Sequence, residues 1–119
     1  MTDRQNQVID YVEFPAKDMG ATKAFFQALM KWEFVDYGPE YMSFGDSKID
    51  GGFFLSENRA RQDEGSALIV FYFHDLETTQ RQVESLGGTI SKPIFEFPGG
   101  RRFHFLDPNG KEFAVWSLD

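Results

Sequence analysis

No cysteine occurs among the 119 residues, so disulfides, thiolate metal sites and cysteine nucleophiles are excluded. Basic residues are scarce as well. Twelve Lys and Arg stand against nineteen Asp and Glu, a net charge of −7, which leaves no continuous positive face for nucleic acid or for an anionic membrane. No apolar run approaches the ~20 residues needed to span a bilayer, and the opening MTDRQNQ holds no apolar signal region, so no membrane partner and a cytoplasmic setting are expected. Chemistry is left to His, carboxylates, Tyr, Arg and Lys. What the chain has in quantity is aromatic: fourteen Phe within a 41% hydrophobic composition, enough to fill one core in a single domain over residues 1–119.

The order of elements repeats. VIDYVEF (8–14) reads as a strand that PAKD breaks, with Asp18 as a helix N-cap. Ala21, Phe25, Phe26, Leu29 and Met30 then recur at three- and four-residue spacing, the period of one helical face. WEFVDY, EYMSFGD and GGFFL follow as three short extended runs, and SENRARQDEGS (56–66) reads as a solvated connector. ALIVFYF (67–73) opens the second copy: Asp75 is a second N-cap, and Leu76, Thr79, Val83 and Leu86 mark a helix stopped by Gly87-Gly88. TISKPIF, RRFHFLD and EFAVWSL supply three more strands. The expected fold is α+β, with one βαβββ module over about 8–55 and a second over about 67–118. A ferredoxin-like chain would place two strands between its helices, where this one has three. Each helix covers one sheet face, so paired modules would enclose a cleft between the uncovered faces.

Taken in order, VEFPAKD with FF seven and eight residues after Asp18, KWEF, GGFFL, FHDLETT with VESLGG, and FLDPNGKEFAVW resemble the vicinal oxygen chelate superfamily, the group of glyoxalase I, extradiol dioxygenases and bleomycin-resistance proteins. The resemblance covers residues 8–118 and is strongest to short, single-domain glyoxalase-like proteins. It implies paired βαβββ modules and, commonly, a homodimer. It also implies a divalent metal held by His or Gln in the first strand, Glu late in the first module, His in the second module's first strand and Glu in the last strand. Those places fall on Tyr11, near Phe53, on Leu68 and on Ala114. Only Tyr11 offers a donor, and a neutral phenol is a poor ligand for a divalent ion. No metal and no cofactor are therefore expected.

Strand alternation assigns the faces. Val12 and Phe14 belong under the first helix, which leaves Tyr11 and Glu13 on the cleft side. Counting back from Asp75 puts Leu68, Val70 and Tyr72 in the cleft, an assignment that leans on the family. Phe103, Phe105, Phe113 and Val115 belong to the covered side, so Arg102, His104, Ala114 and Trp116 face the cleft. Asp107-Pro108-Asn109-Gly110 has the residues of a type I turn with a left-handed residue after it. The candidate acid-base and oxyanion-stabilising residues are His104, Glu13 and Arg102, and the candidate ligand contacts are Tyr11, Phe53, Leu68, Val70, Tyr72, Ala114 and Trp116. A plainer alternative makes Arg102 and Glu13 an ion pair on a solvated sheet face, while His104 satisfies a local hydrogen bond. His74, Gly51-Gly52, Arg59 and Arg61 are given no functional role.

Three functions remain open. The first is a metal-free protein binding a small, partly aromatic or amphipathic molecule. The second is a lyase or isomerase related to lactoylglutathione lyase, in which His104 or Glu13 moves a proton and Arg102 stabilises an oxyanion, with Glu13 orienting His104 if the first strand and the last hairpin face each other across the cleft. The third is a dimeric interaction module. If His104 lines an open cleft, His104→Phe should leave the thermal midpoint within a few degrees, because one ring replaces another.

Overall fold

Strand, helix and three strands occur twice along the chain in the computed structural model, which describes residues 6–45, 48–58 and 62–118. The first run comprises β1 (Tyr11–Ala16), α1 (Met19–Met30), β2 (Glu33–Asp36), β3 (Tyr41–Gly45) and β4 (Asp50–Leu55). The second comprises β5 (Ile69–Tyr72), α2 (Leu76–Ser85), β6 (Thr89–Phe97), β7 (Gly100–Leu106) and β8 (Glu112–Ser117). Each run forms its own four-stranded sheet, ordered β1-β4-β3-β2 and β5-β8-β7-β6, with its first strand parallel to its last. The architecture is α+β with two βαβββ modules, as the repeat predicts. Arg59 and Arg61 lie outside the described residues.

Local chemistry accounts for the element boundaries. A carboxylate oxygen of Asp18 accepts the Ala21 amide at 3.0 Å, and one of Asp75 accepts the Thr78 amide at 3.0 Å, so both expected N-caps form. Thr22, Phe25, Phe26 and Leu29 are the buried face of α1, and Leu76, Thr79 and Val83 that of α2. Gly87, at φ 97°, takes the left-handed conformation that ends α2. Several boundaries differ from expectation, among them both ends of β1 and the start of β5 at Ile69. β1 starts at Tyr11 and continues through Pro15 and Ala16, where PAKD was expected to end it. β1 is an edge strand paired only with β4, and an edge tolerates a residue without an N–H. Pro93 likewise lies on an edge strand, β6, whose pairing with β7 shifts register between Lys92 and Phe95.

The helix-covered faces of both sheets share one core. On α1, the Phe26 ring lies 5.5 Å from Phe53 of β4 and 5.3 Å from Phe113 of β8, while Phe25 lies 5.9 Å from Phe105 of β7. Phe14 of β1 meets Phe113 at 5.4 Å, and Phe71 of β5 meets Trp32 at 6.0 Å. The turn between β7 and β8 adds a polar latch between the modules. Asn109 Oδ1 accepts the amides of Lys17 and Asp18 at 2.9 and 3.1 Å, and its Nδ2 donates to Thr22 Oγ1 at 2.7 Å. Asp107 holds the turn itself by accepting the Asn109 and Lys111 amides. Lys111 is buried under the turn with its amine 4.9 Å from the Phe14 ring and 4.5 Å from the Phe113 ring, and it donates to the Glu112 carbonyl at 3.0 Å. The opposite face of each sheet lies outside this shared core.

Candidate functional site

Strand pairing sets two rows of side chains across the outer face of the second sheet. One row runs Val70, Ala114, His104, Lys92, and the next runs Tyr72, Trp116, Arg102, Phe95. Opposed residues in a ladder put their side chains on the same face, so six of the residues expected in the cleft stand together here. Val70 and Tyr72, on the edge strand β5, are 41% and 40% exposed. Trp116 packs edge-on to Tyr72 at 5.0 Å and lies 6.1 Å from Phe97. The Arg102 guanidinium lies over the rings of Phe95 and Phe97 at 5.4 and 5.7 Å, and its buried Nε has no hydrogen-bond partner among the described residues.

His104 is fully buried, which strand alternation did not predict. Its Nδ1 lies 2.8 Å from Glu112 Oε2, while Nε2 is buried without a partner among the described residues. Burial lowers the imidazole below its ordinary value, helped by the charges of Arg102 and Lys92, and the hydrogen bond to Glu112 opposes it only in part. Burial would raise the Glu112 carboxyl, but hydrogen bonds from His104 and from the Gln62 amide hold it below its ordinary value. The pair is therefore a neutral imidazole donating Nδ1–H to a carboxylate, with the Nε2 lone pair turned away from it. His104 therefore does not line an open cleft, which removes the premise on which His104→Phe was expected to spare stability, and phenylalanine there would leave Glu112 buried without this partner.

Tyr11 and Glu13 are on the first sheet, on its outer face. Tyr41 donates to Glu13 Oε2 at 2.8 Å and shares a 2.6 Å hydrogen bond with the Tyr11 hydroxyl. Burial, followed by these two hydrogen bonds, raises the Tyr41 phenol above its ordinary value. Gly52 makes room for that ring: a Cβ there would collide with the Tyr41 hydroxyl, and one on Gly51 would collide with the Phe44 ring. Close approach by side chains thus explains the glycine pair. Tyr11, Tyr37, Tyr41, Val35, Glu33 and Asp50 line a depression of about 500 Å³ on this face. No hydrogen bond or ion pair joins Glu13 to His104 or Arg102 among the described residues, and the carboxylate on His104 is that of Glu112.

Two further expected contacts stand elsewhere. Phe53 does not face outward with Tyr11; its ring is fully buried among Phe14, Phe26 and Phe44, because it pairs with Phe14 and Met42 on the core side. Leu68 is half-buried and precedes β5. The four places at which the resemblance puts metal donors therefore hold Tyr11, already bonded to Tyr41, and three apolar residues, a set that does not fit a divalent ion. The important residue that was missed is Glu112. Alternation puts it on the same face as Ala114, two residues away, so its signal was a carboxylate one diagonal from His104.

Comparison with known proteins agrees with this fold. Residues 8–115 match the family described as the Glyoxalase/Bleomycin resistance protein/Dioxygenase superfamily. The chain is 28% identical over 115 residues to the anthracycline biosynthesis protein DauV of Streptomyces sp. (strain C5) and 29% identical to the anthracycline biosynthesis protein DnrV of Streptomyces peucetius. Each alignment covers 92% of this chain but 41% of the relative, so the chain spans less than half of their length. Among solved structures, a glyoxalase/bleomycin resistance protein/dioxygenase family enzyme from Burkholderia phytofirmans PsJN superposes with a TM-score of 0.78 at 18% identity, covering 93% of this chain and 98% of that one. At that identity the likeness is one of fold.

Proposed function

Because the chain belongs to the glyoxalase/bleomycin resistance protein/dioxygenase superfamily, we propose that it binds a small, partly aromatic or amphipathic molecule on the outer face of the second sheet, without the divalent metal common in that superfamily. The observation that carries this reading is the ladder itself. The exposed Val70 and Tyr72 and the half-buried Trp116 give an apolar wall beside Arg102 and His104, whose Nε and Nε2 have no partner among the described residues. A largely apolar surface with a few convergent polar groups is the usual makeup of a small-molecule site. Two relatives are named for anthracycline biosynthesis, which is consistent with an aromatic ligand. Partly exposed apolar side chains on both outer faces, Val35 and Tyr37 on one and Val70 and Tyr72 on the other, support closure of the site by a second copy in a homodimer. A cytoplasmic setting is part of the same proposal.

Native mass spectrometry of the protein as purified tests it. A retained or added aromatic compound should remain bound, and Trp116→Ala should weaken its retention at least about tenfold, or ~1.4 kcal/mol. A protein that holds no compound, with tryptophan fluorescence unmoved by any member of an aromatic panel, would sink the reading.

A second reading, a lyase or isomerase of the lactoylglutathione lyase kind, is favoured by the His104–Glu112 pair. An imidazole steered by a carboxylate, beside a cation, is an arrangement suited to moving a proton next to a carbonyl. Here Glu112 supplies the orientation that Glu13 was expected to supply.

A further inference from the structure

Glu112 is held at both oxygens. Oε1 accepts the backbone amide of Gln62 at 3.0 Å, and Oε2 faces His104 Nδ1 at 2.8 Å. The carboxylate is nearly buried, and the imidazole is wholly so. An acceptor-only group fixed in this way leaves His104 a single neutral form with a good hydrogen bond, the one with its proton on Nδ1. Nε2 is then a lone pair, buried without a partner among the described residues, in a position where an unmet hydrogen bond is costly. The charged groups around the ring are Lys92 on β6, Arg102 on β7 and Glu112 on β8. The first two oppose a proton on Nε2, and Glu112 favours one.

We infer that Glu112 is a positioning residue that sets the hydrogen-bonding polarity of the site, and that the ligand class completing it is an aromatic or enolic hydroxyl compound whose O–H donates to His104 Nε2. The inference rests on the small-molecule reading above. The oxygen of such a ligand would lie near Arg102, which shares the strand and face of His104 and whose cation favours the partial negative charge of a strongly donating hydroxyl. Its ring would rest against Trp116 and Tyr72. Phe95 lies 5.9 Å from the His104 ring under the Arg102 guanidinium, and both side chains are only half-buried, so they are the ones a ligand would displace to reach the buried ring. A ligand bearing only acceptors would face Nε2 lone pair to lone pair and would be rejected.

Glu112→Gln turns this polarity around by chemistry alone. The Gln62 amide still requires an oxygen, so the new side chain directs its carbonyl there and its NH2 to Nδ1, which drives the proton of His104 to Nε2. Nitrogen NMR of histidine-labelled protein at neutral pH should show Nδ1–H in the parent and Nε2–H in Glu112→Gln. Nε2–H in the parent, or an unchanged tautomer in the variant, would overturn the positioning role. Calorimetric titration at neutral pH with phenol, which stays protonated there, and with anisole, which has the oxygen as acceptor only, tests the ligand class. The preference for phenol should fall at least about tenfold from parent to Glu112→Gln, and an equal preference in both proteins would overturn the class. If the tautomer switches as stated but neither probe binds the parent, the small-molecule reading fails and the ligand class with it, while the positioning role stands.

Discussion

The two sheets carry comparable polar groups on their outer faces in opposite surroundings. On the first, Tyr11, Tyr41 and Glu13 form a short hydrogen-bonded chain in a depression open to solvent. On the second, His104 and Glu112 form a pair at a similar distance, but the imidazole is fully buried and the carboxylate nearly so. The modules therefore repeat their element order and not their chemistry. Hydrogen-bond lengths alone would rank the two networks as equals. Burial separates them, since water replaces a broken partner at the first site and cannot at the second.

Removing one partner on each face is the direct way to break this comparison. His104→Phe leaves the Glu112 carboxylate buried against an apolar ring and is expected to cost about 3 kcal/mol, read as a shifted midpoint in urea unfolding at neutral pH. A cost below ~0.5 kcal/mol would mean that burial gives the second face no special weight.

Lys111 separates burial from membership of either sheet, because it sits between Phe14 of the first module and Phe113 of the second. Burial lowers its amine from 10.5 to about 8, with the charges of Asp107 and Glu112 opposing in part. Above that folded value the unfolded chain binds more protons than the native one, so stability rises with pH until the unfolded value is reached. At about 1.4 kcal/mol per unit, the parent should gain roughly 2 kcal/mol between about pH 8 and pH 9.5, and Lys111→Met should lack that gain. Parallel pH curves for the two proteins would show that the amine titrates as an exposed lysine does.

The smallest effect belongs to the open face. Tyr41→Phe removes both hydrogen bonds of the tyrosine chain, yet the freed Tyr11 and Glu13 are exposed and can turn to water, so a loss of at most ~0.5 kcal/mol is expected by the same unfolding measurement. A cost equal to that of His104→Phe would erase the distinction between the two faces.

Much of the fold was legible because its signals are local. Asp18 and Asp75 cap the helices they were expected to cap, Gly87 ends α2, and the aromatic alternation in RRFHFLD and EFAVWS sorted Phe103, Phe105, Phe113 and Val115 from Arg102, His104, Ala114 and Trp116. Such features depend on neighbours within a turn of helix or a pair of strands, which sequence spacing encodes. The end of β1 was misread because Pro15 is a strand breaker everywhere except at an edge, and whether β1 is an edge depends on the order of strands.

The site divides along the same line. By itself the sequence determined which residues of β7 and β8 share a face, since period-two alternation requires no knowledge of the partner strand, while the faces of Val70 and Tyr72 and the positions without metal donors were read through the family resemblance. Only the tertiary structure decided that Phe53 turns into the core, that Asn109 ties the last turn to the start of α1, and that Glu112 rather than Glu13 holds His104. Each of these depends on the register or packing of segments distant in sequence. Burial, which shifts the imidazole and the Lys111 amine, is likewise a property of the assembled chain and of no single stretch of it.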